Sequence, residues 1–69
     1  MGKIYTQEHA EIRYRNVWHY IIETELGDIH MVQWERKDQS LEEVLMLNDN
    51  TKAIRKFKQI CKDILDYKR

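Results

Sequence analysis

The stretch Trp18–Trp34, WHYIIETELGDIHMVQW, constrains the fold more than any other part of the chain. It is dense in β-branched and aromatic residues, which fit a pleated, half-buried surface and lose rotamer freedom in a helix. Its centre carries Glu25-Leu26-Gly27, and glycine takes the left-handed conformation that closes a three-residue hairpin loop. Residues 17–24 and 28–35 therefore read as paired antiparallel strands. Apolar side chains nevertheless stand at both odd and even positions, so both faces of the hairpin hold material that avoids water.

A three-residue loop sets Trp18 opposite Trp34, Tyr20 opposite Val32 and Ile22 opposite His30. One face then gathers Trp18, Tyr20, Ile22, Val32 and Trp34. A four-residue loop splits the tryptophans between faces, so the three-residue loop gives the more concentrated core. The opposite face carries Val17, His19, Ile21, Ile29, Met31 and Gln33, about half of it apolar.

Upstream, AEIRYR (residues 10–15) alternates apolar and polar, and Asn16 suits a turn, which adds a third antiparallel strand. The rival reading runs residues 7–26 as one helix stopped by Gly27, because Ala10, Tyr14, Val17, Ile21 and Ile22 also fall near helical spacing. Downstream, Ser40-Leu41-Glu42-Glu43 has the S-x-x-E form of a capping box and predicts a short helix with Leu41, Val44 and Leu45 inward. Asn48-Asp49-Asn50-Thr51 then breaks it and offers a new N-cap. The last segment is the most regular. At 100° per residue Ala53, Ile54, Phe57, Ile60, Cys61, Ile64 and Leu65 form one apolar arc, predicting an amphipathic helix that covers the tryptophan face.

The expected architecture is α+β: a two- or three-stranded antiparallel meander, a short helix, then a longer C-terminal helix packed on one sheet face. At 69 residues the chain has room for one domain, and its 42% apolar content supports a compact core. Residues 1–9 remain either a flexible arm or a cover, through Ile4 and Tyr5, for the second sheet face.

Function classes narrow by what the residues omit. There is no glycine-rich phosphate loop, no G-x-S-x-G and no H-E-x-x-H, so the expectation is a protein that is not an enzyme. Cys61 is the lone cysteine and sits inside the apolar arc, where it reads as a small buried hydrophobe. In the three-residue-loop register His19 and His30 point to opposite sheet faces, so no metal site and no cofactor are expected. No apolar run approaches the ~20 residues that cross a bilayer, and no signal-peptide core follows Met1-Gly2-Lys3, so a cytoplasmic protein without a membrane partner is expected.

Two binding surfaces remain. The half-apolar face of Val17, His19, Ile21, Ile29, Met31 and Gln33 is left open when helices cover only the other side, and contiguous apolar patches mark interfaces. It predicts a protein partner, either a second copy of the chain as a homodimer or the target of a small accessory or inhibitor protein of the kind phages and mobile elements encode. The alternative is nucleic acid. The formal net charge is zero, yet residues 52–69 carry seven basic side chains against two acidic. Arg55, Lys58, Lys62 and Arg69 fall on one flank of the final helix, spaced to follow a phosphate backbone.

Overall fold

The structure is a computed structural model, and it describes residues 2–69. Four strands follow one another along the chain: β1 (Ile4–Ile12), β2 (Arg15–Thr24), β3 (Gly27–Glu35) and β4 (Leu41–Leu47). They lie side by side in that order as one antiparallel meander, and the helix α1 (Asn50–Leu65) crosses one face. The α+β class and the antiparallel sheet expected from the sequence are present, with four strands where two or three were expected and one helix where two were.

The β2–β3 hairpin is tighter than the sequence suggested. Thr24 pairs with Gly27, so only Glu25 and Leu26 occupy the turn. Thr24 Oγ1 donates to Gly27 O at 2.6 Å and accepts from Leu26 N at 3.2 Å. Gly27 has φ of 126° and its missing Cβ leaves room for the Asn48 side chain, which accepts from Asp28 N at 2.8 Å. Glycine serves close approach here as well as turn conformation.

Shortening the loop by one residue slides the pairing by one. Trp18 lies opposite Gln33, and Trp34 opposite Val17. Because side chains alternate with period two, that slip moves all of β2 to the other face while β3 stays as expected. Val17, His19 and Ile21 go under the helix; Trp18, Tyr20 and Ile22 come out. The two tryptophans do not decide the register, because either register puts several large apolar groups on each face.

The upstream segment is strand rather than helix, and it is longer than residues 10–15. Its turn falls at Arg13-Tyr14, not at Asn16, with φ of 52° and 66°. Two adjacent positive φ values suit a two-residue hairpin, and this one forms without the usual Asn-Gly pair. Arg13 is tethered from the far end of the chain: Nε and Nη2 donate to Leu65 O at 3.2 and 3.0 Å, and the guanidinium lies 3.7 Å over the Tyr67 ring. The N-terminal segment is neither arm nor cover. It is the edge strand itself, and Glu23 N donates to Lys3 O at 2.8 Å.

The expected short helix at Ser40 is β4. Ser40 Oγ donates to Asp38 Oδ1 at 2.5 Å, so the hydroxyl is engaged in a turn and caps nothing. Leu41–Leu47 instead pairs continuously with Glu35–Ile29. Helix propensity differences of a few tenths of a kcal/mol per residue yield readily to an unpaired strand edge alongside.

The last helix matches its sequence pattern closely. Asp49 is the N-cap, accepting from Lys52 N at 2.9 Å. Ala53, Phe57, Ile60 and Ile64 are buried with Val17, Val32, Trp34 and Met46, and Cys61 packs at the margin. Leu65 departs from the arc: it closes the helix and is exposed, because Tyr67 turns the chain away with φ of 61°. α1 packs on β1, β2 and β3 and leaves β4 overhanging. It is not long and apolar enough to cross a membrane.

Candidate functional site

The face away from the helix is organised in four cross-strand rows. The first is Ile4, Ile22, Ile29 and Leu47. The second is Thr6, Tyr20, Met31 and Leu45. The third is His9, Trp18, Gln33 and Glu43, and the fourth Glu11, Asn16, Glu35 and Leu41. Apolar groups thus concentrate at one end, polar and acidic groups at the other, and no lysine or arginine stands in any row.

Exposure follows the same gradient of chemistry without protecting the apolar end. Ile4, Leu45 and Leu47 keep 68%, 56% and 62% of their surface open to solvent. The third and fourth rows are internally tied. Trp18 stacks between His9 and Tyr20, at centroid separations of 5.8 and 6.3 Å. His9 Nε2 donates to Asn16 Oδ1 at 2.9 Å, and Asn16 Nδ2 donates to Glu35 Oε1 at 2.7 Å. The polar end is therefore pre-ordered, while the apolar end offers side chains with nothing above them among the described residues.

Of the six residues expected to line an open face, the structure places Ile29, Met31 and Gln33 there. Val17, His19 and Ile21 are buried beneath α1 and are corrected to core positions by the register slip. The open face instead uses Trp18, Tyr20 and Ile22 from β2, and gains Leu45 and Leu47 from a segment expected to be helical.

The same slip brings His19 and His30 together on the covered face, where opposite faces were expected. His30 Nδ1 donates to His19 Nε2 at 2.9 Å, and His19 Nδ1 donates to Glu8 Oε2 at 2.8 Å. This tautomer assignment gives each of the three contacting nitrogens a role that fits its partner. The step that aims Glu8 at His19 is a bulge in β1, where the register shifts between Thr6 and Glu8. Burial, and then the neighbouring His19, hold the His30 pKa below its ordinary value, against the opposing pull of Asp28 and Asp49. Among the described residues no cluster of three or more histidine, cysteine, aspartate or glutamate side chains is arranged to hold a metal ion.

Cys61 lies near this chain, and burial, followed by the charge of Glu8, pushes its thiol upward. A thiol held protonated is a weak nucleophile. The polar chain thus serves to satisfy buried groups, and no unpartnered buried side-chain polar atom remains among the described residues.

The basic flank of α1 is smaller than the sequence implied. Arg55, Lys58 and Lys62 are exposed along it. Arg69 is not on the helix at all: its Nε donates to Asp63 Oδ2 at 2.9 Å and its carbonyl accepts from Arg15. That contact, with Gln59, keeps the buried Asp63 carboxyl below the ordinary carboxylate range.

Comparison of the chain with protein-family models, with curated proteins and with solved structures finds no match.

Proposed function

We propose that this is a non-catalytic binding protein that works by protein–protein association through the open sheet face, with a second copy of the chain as its occupant. The observation that carries the reading is the pair of apolar rows, Ile4-Ile22-Ile29-Leu47 across all four strands and Tyr20-Met31-Leu45 across three, with no covering element among the described residues. Contiguous apolar surface of this kind is rare on monomers that stay alone.

Charge suits self-association, and size suits a weak one. Four strands spaced about 4.8 Å apart, over four rows, present a face of about 20 by 25 Å, of which the apolar rows are half. Two such halves laid together remove about 500 Å² from water even before side-chain relief is counted, in the range of weak, transient contacts. A two-fold axis through the apolar rows sets Ile and Leu against their counterparts and carries the Glu11, Glu35 and Glu43 ends of the two copies apart. Like charges then never meet.

Sedimentation equilibrium over micromolar concentrations tests this. The expected result is a species near twice the 8.5 kDa chain mass, converted to monomer by Met31→Glu with the circular dichroism spectrum retained. A monomer at every concentration, or a dimer indifferent to Met31→Glu, overturns the reading.

A further inference from the structure

The two edges of the sheet are built differently. β1 is irregular: its bulge falls between Thr6 and Glu8, and it carries Gln7, Glu8, His9 and Glu11. Bulges and charged side chains are how natural proteins keep an edge from recruiting another strand. β4 is less protected, its only charged side chains being Glu42, which is paired with Arg36 at 3.1 Å, and Glu43. It pairs with β3 without a break over Leu41–Leu47, contains no proline or lysine, and is four-sevenths leucine and methionine by sequence, LEEVLML.

Beside that edge lies a groove. Because α1 sits over the other three strands, a cleft of about 400 Å³ opens between the helix and β4. Val44 and Met46 form its floor, and Lys52, Arg55 and Lys56 line the helix wall.

We infer that β4 is a strand-addition site for an extended segment that alternates acidic and apolar residues. An added strand takes its main-chain hydrogen bonds from the free edge and sends alternate side chains to opposite faces. One set falls toward the helix wall, where acidic groups meet Lys52, Arg55 and Lys56. The other set extends the rows that end in Leu45 and Leu47, where apolar groups are accommodated. Charge selects the occupant. A second copy joined through β4 would bring the two helices to the same face across the dyad and set their cationic walls against each other, so the edge discriminates against self-pairing and favours an acidic strand. This site borders the open face at Leu45 and Leu47, but its main-chain edge and cationic wall lie outside that face.

The experiment uses the full chain and a fluorescein-labelled heptapeptide of alternating glutamate and valine, with anisotropy as the readout. Binding should weaken as salt is raised, and the lysine-for-glutamate version of the peptide should bind at least about tenfold more weakly. The double variant Lys52→Glu/Arg55→Glu should lose a similar factor, both positions being exposed. Amide shift changes in a 15N spectrum should fall on Leu41–Leu47. Absence of binding, equal binding of the acidic and basic peptides, or shift changes that spare β4 would each overturn the inference. So would displacement of the peptide by a single-stranded oligonucleotide at equal concentration, which would assign the cationic wall to phosphates.

Discussion

The two faces of this sheet are made by the same four strands, and both carry isoleucine and aromatic side chains. They differ in what their polar groups can reach. On the covered face Glu8, His19 and His30 close a chain of contacts among themselves, so the apolar residues around them, Val17, Val32 and Trp34, can be sealed under α1. On the open face the hydrogen-bonded groups gather at one end, around Asn16, and leave the apolar end with no partner among the described residues. Apolar content alone does not choose the buried face. The face is chosen where every polar group on it has somewhere to bond, since an unsatisfied buried group costs about 1–3 kcal/mol.

The largest test of that contrast lies in the core. Ile60 is fully buried at the centre of α1. Ile60→Ala should destabilise the chain by about 2–5 kcal/mol through lost transfer energy and a residual cavity. In a domain of this size each kcal/mol moves the melting midpoint by about 4–8 °C, so the variant should melt at least about 8 °C lower or be unfolded. Ile22→Ala on the open face should cost far less in dilute solution. Equal losses in thermal melts would mean that the open face is covered within the monomer, and the contrast would be broken.

A smaller effect should follow pH. His30 is held below its ordinary value by burial, so the folded protein refuses a proton that the unfolded chain accepts. The unfolded state then binds more protons, and stability rises with pH across the window between the lowered value and the ordinary one of about 6.5. The contribution is full above about 6.5 and is lost as the pH falls through the folded value. Glu8 from β1, Asp28 from β3 and Asp49 at the start of α1 face the pair with negative charge and moderate the loss, while the neighbouring Cys61 thiol stays neutral. His30→Gln retains a donor toward His19 but cannot be protonated. Melting midpoints measured from about pH 7 to pH 5 should fall less steeply for it than for the parent. Parallel slopes would show that the buried pair does not govern the acid side.

Much of this contrast was readable in the residues, and the part that was not has a specific cause. α1 follows from spacing alone: Ala53, Phe57, Ile60 and Ile64 recur with helical period, and Asp49 marks the start. The strand identity of β2 and β3 follows from their β-branched and aromatic residues. Their relative register does not, because a slip of one residue exchanges Trp18, Tyr20 and Ile22 for Val17, His19 and Ile21, and both sets look like a core. The signal that separates them is polar: only the register that sets Val17 opposite Trp34 brings His19 and His30 together as partners on one face. β4 was hidden because Ser40-Leu41-Glu42-Glu43 satisfies the local rule for a helix start, while its strand pairing depends on Ile29–Glu35, distant in sequence. The Arg13 turn was hidden for the same kind of reason, its anchor being Leu65 and Tyr67. Half of the candidate face, Ile29, Met31 and Gln33, was therefore placed where it lies, and half was not.

The smallest expected effect on the isolated chain is also the sharpest for the comparison. Leu45 is 56% exposed on β4, so its side chain has little burial to lose. Leu45→Thr keeps a β-favouring residue in the strand and should change the stability of the dilute monomer by no more than about 0.5 kcal/mol. Association should respond differently. If the open face joins two copies, the parent melting midpoint rises with protein concentration by mass action, because binding to the folded state stabilises it. In Leu45→Thr that rise should flatten, with the dilute values unchanged. A variant that melts lower at every concentration would show Leu45 supporting the monomer itself, and the two faces would then differ in degree and not in role. A parent midpoint that never varies with concentration would leave the open face without a second copy upon it.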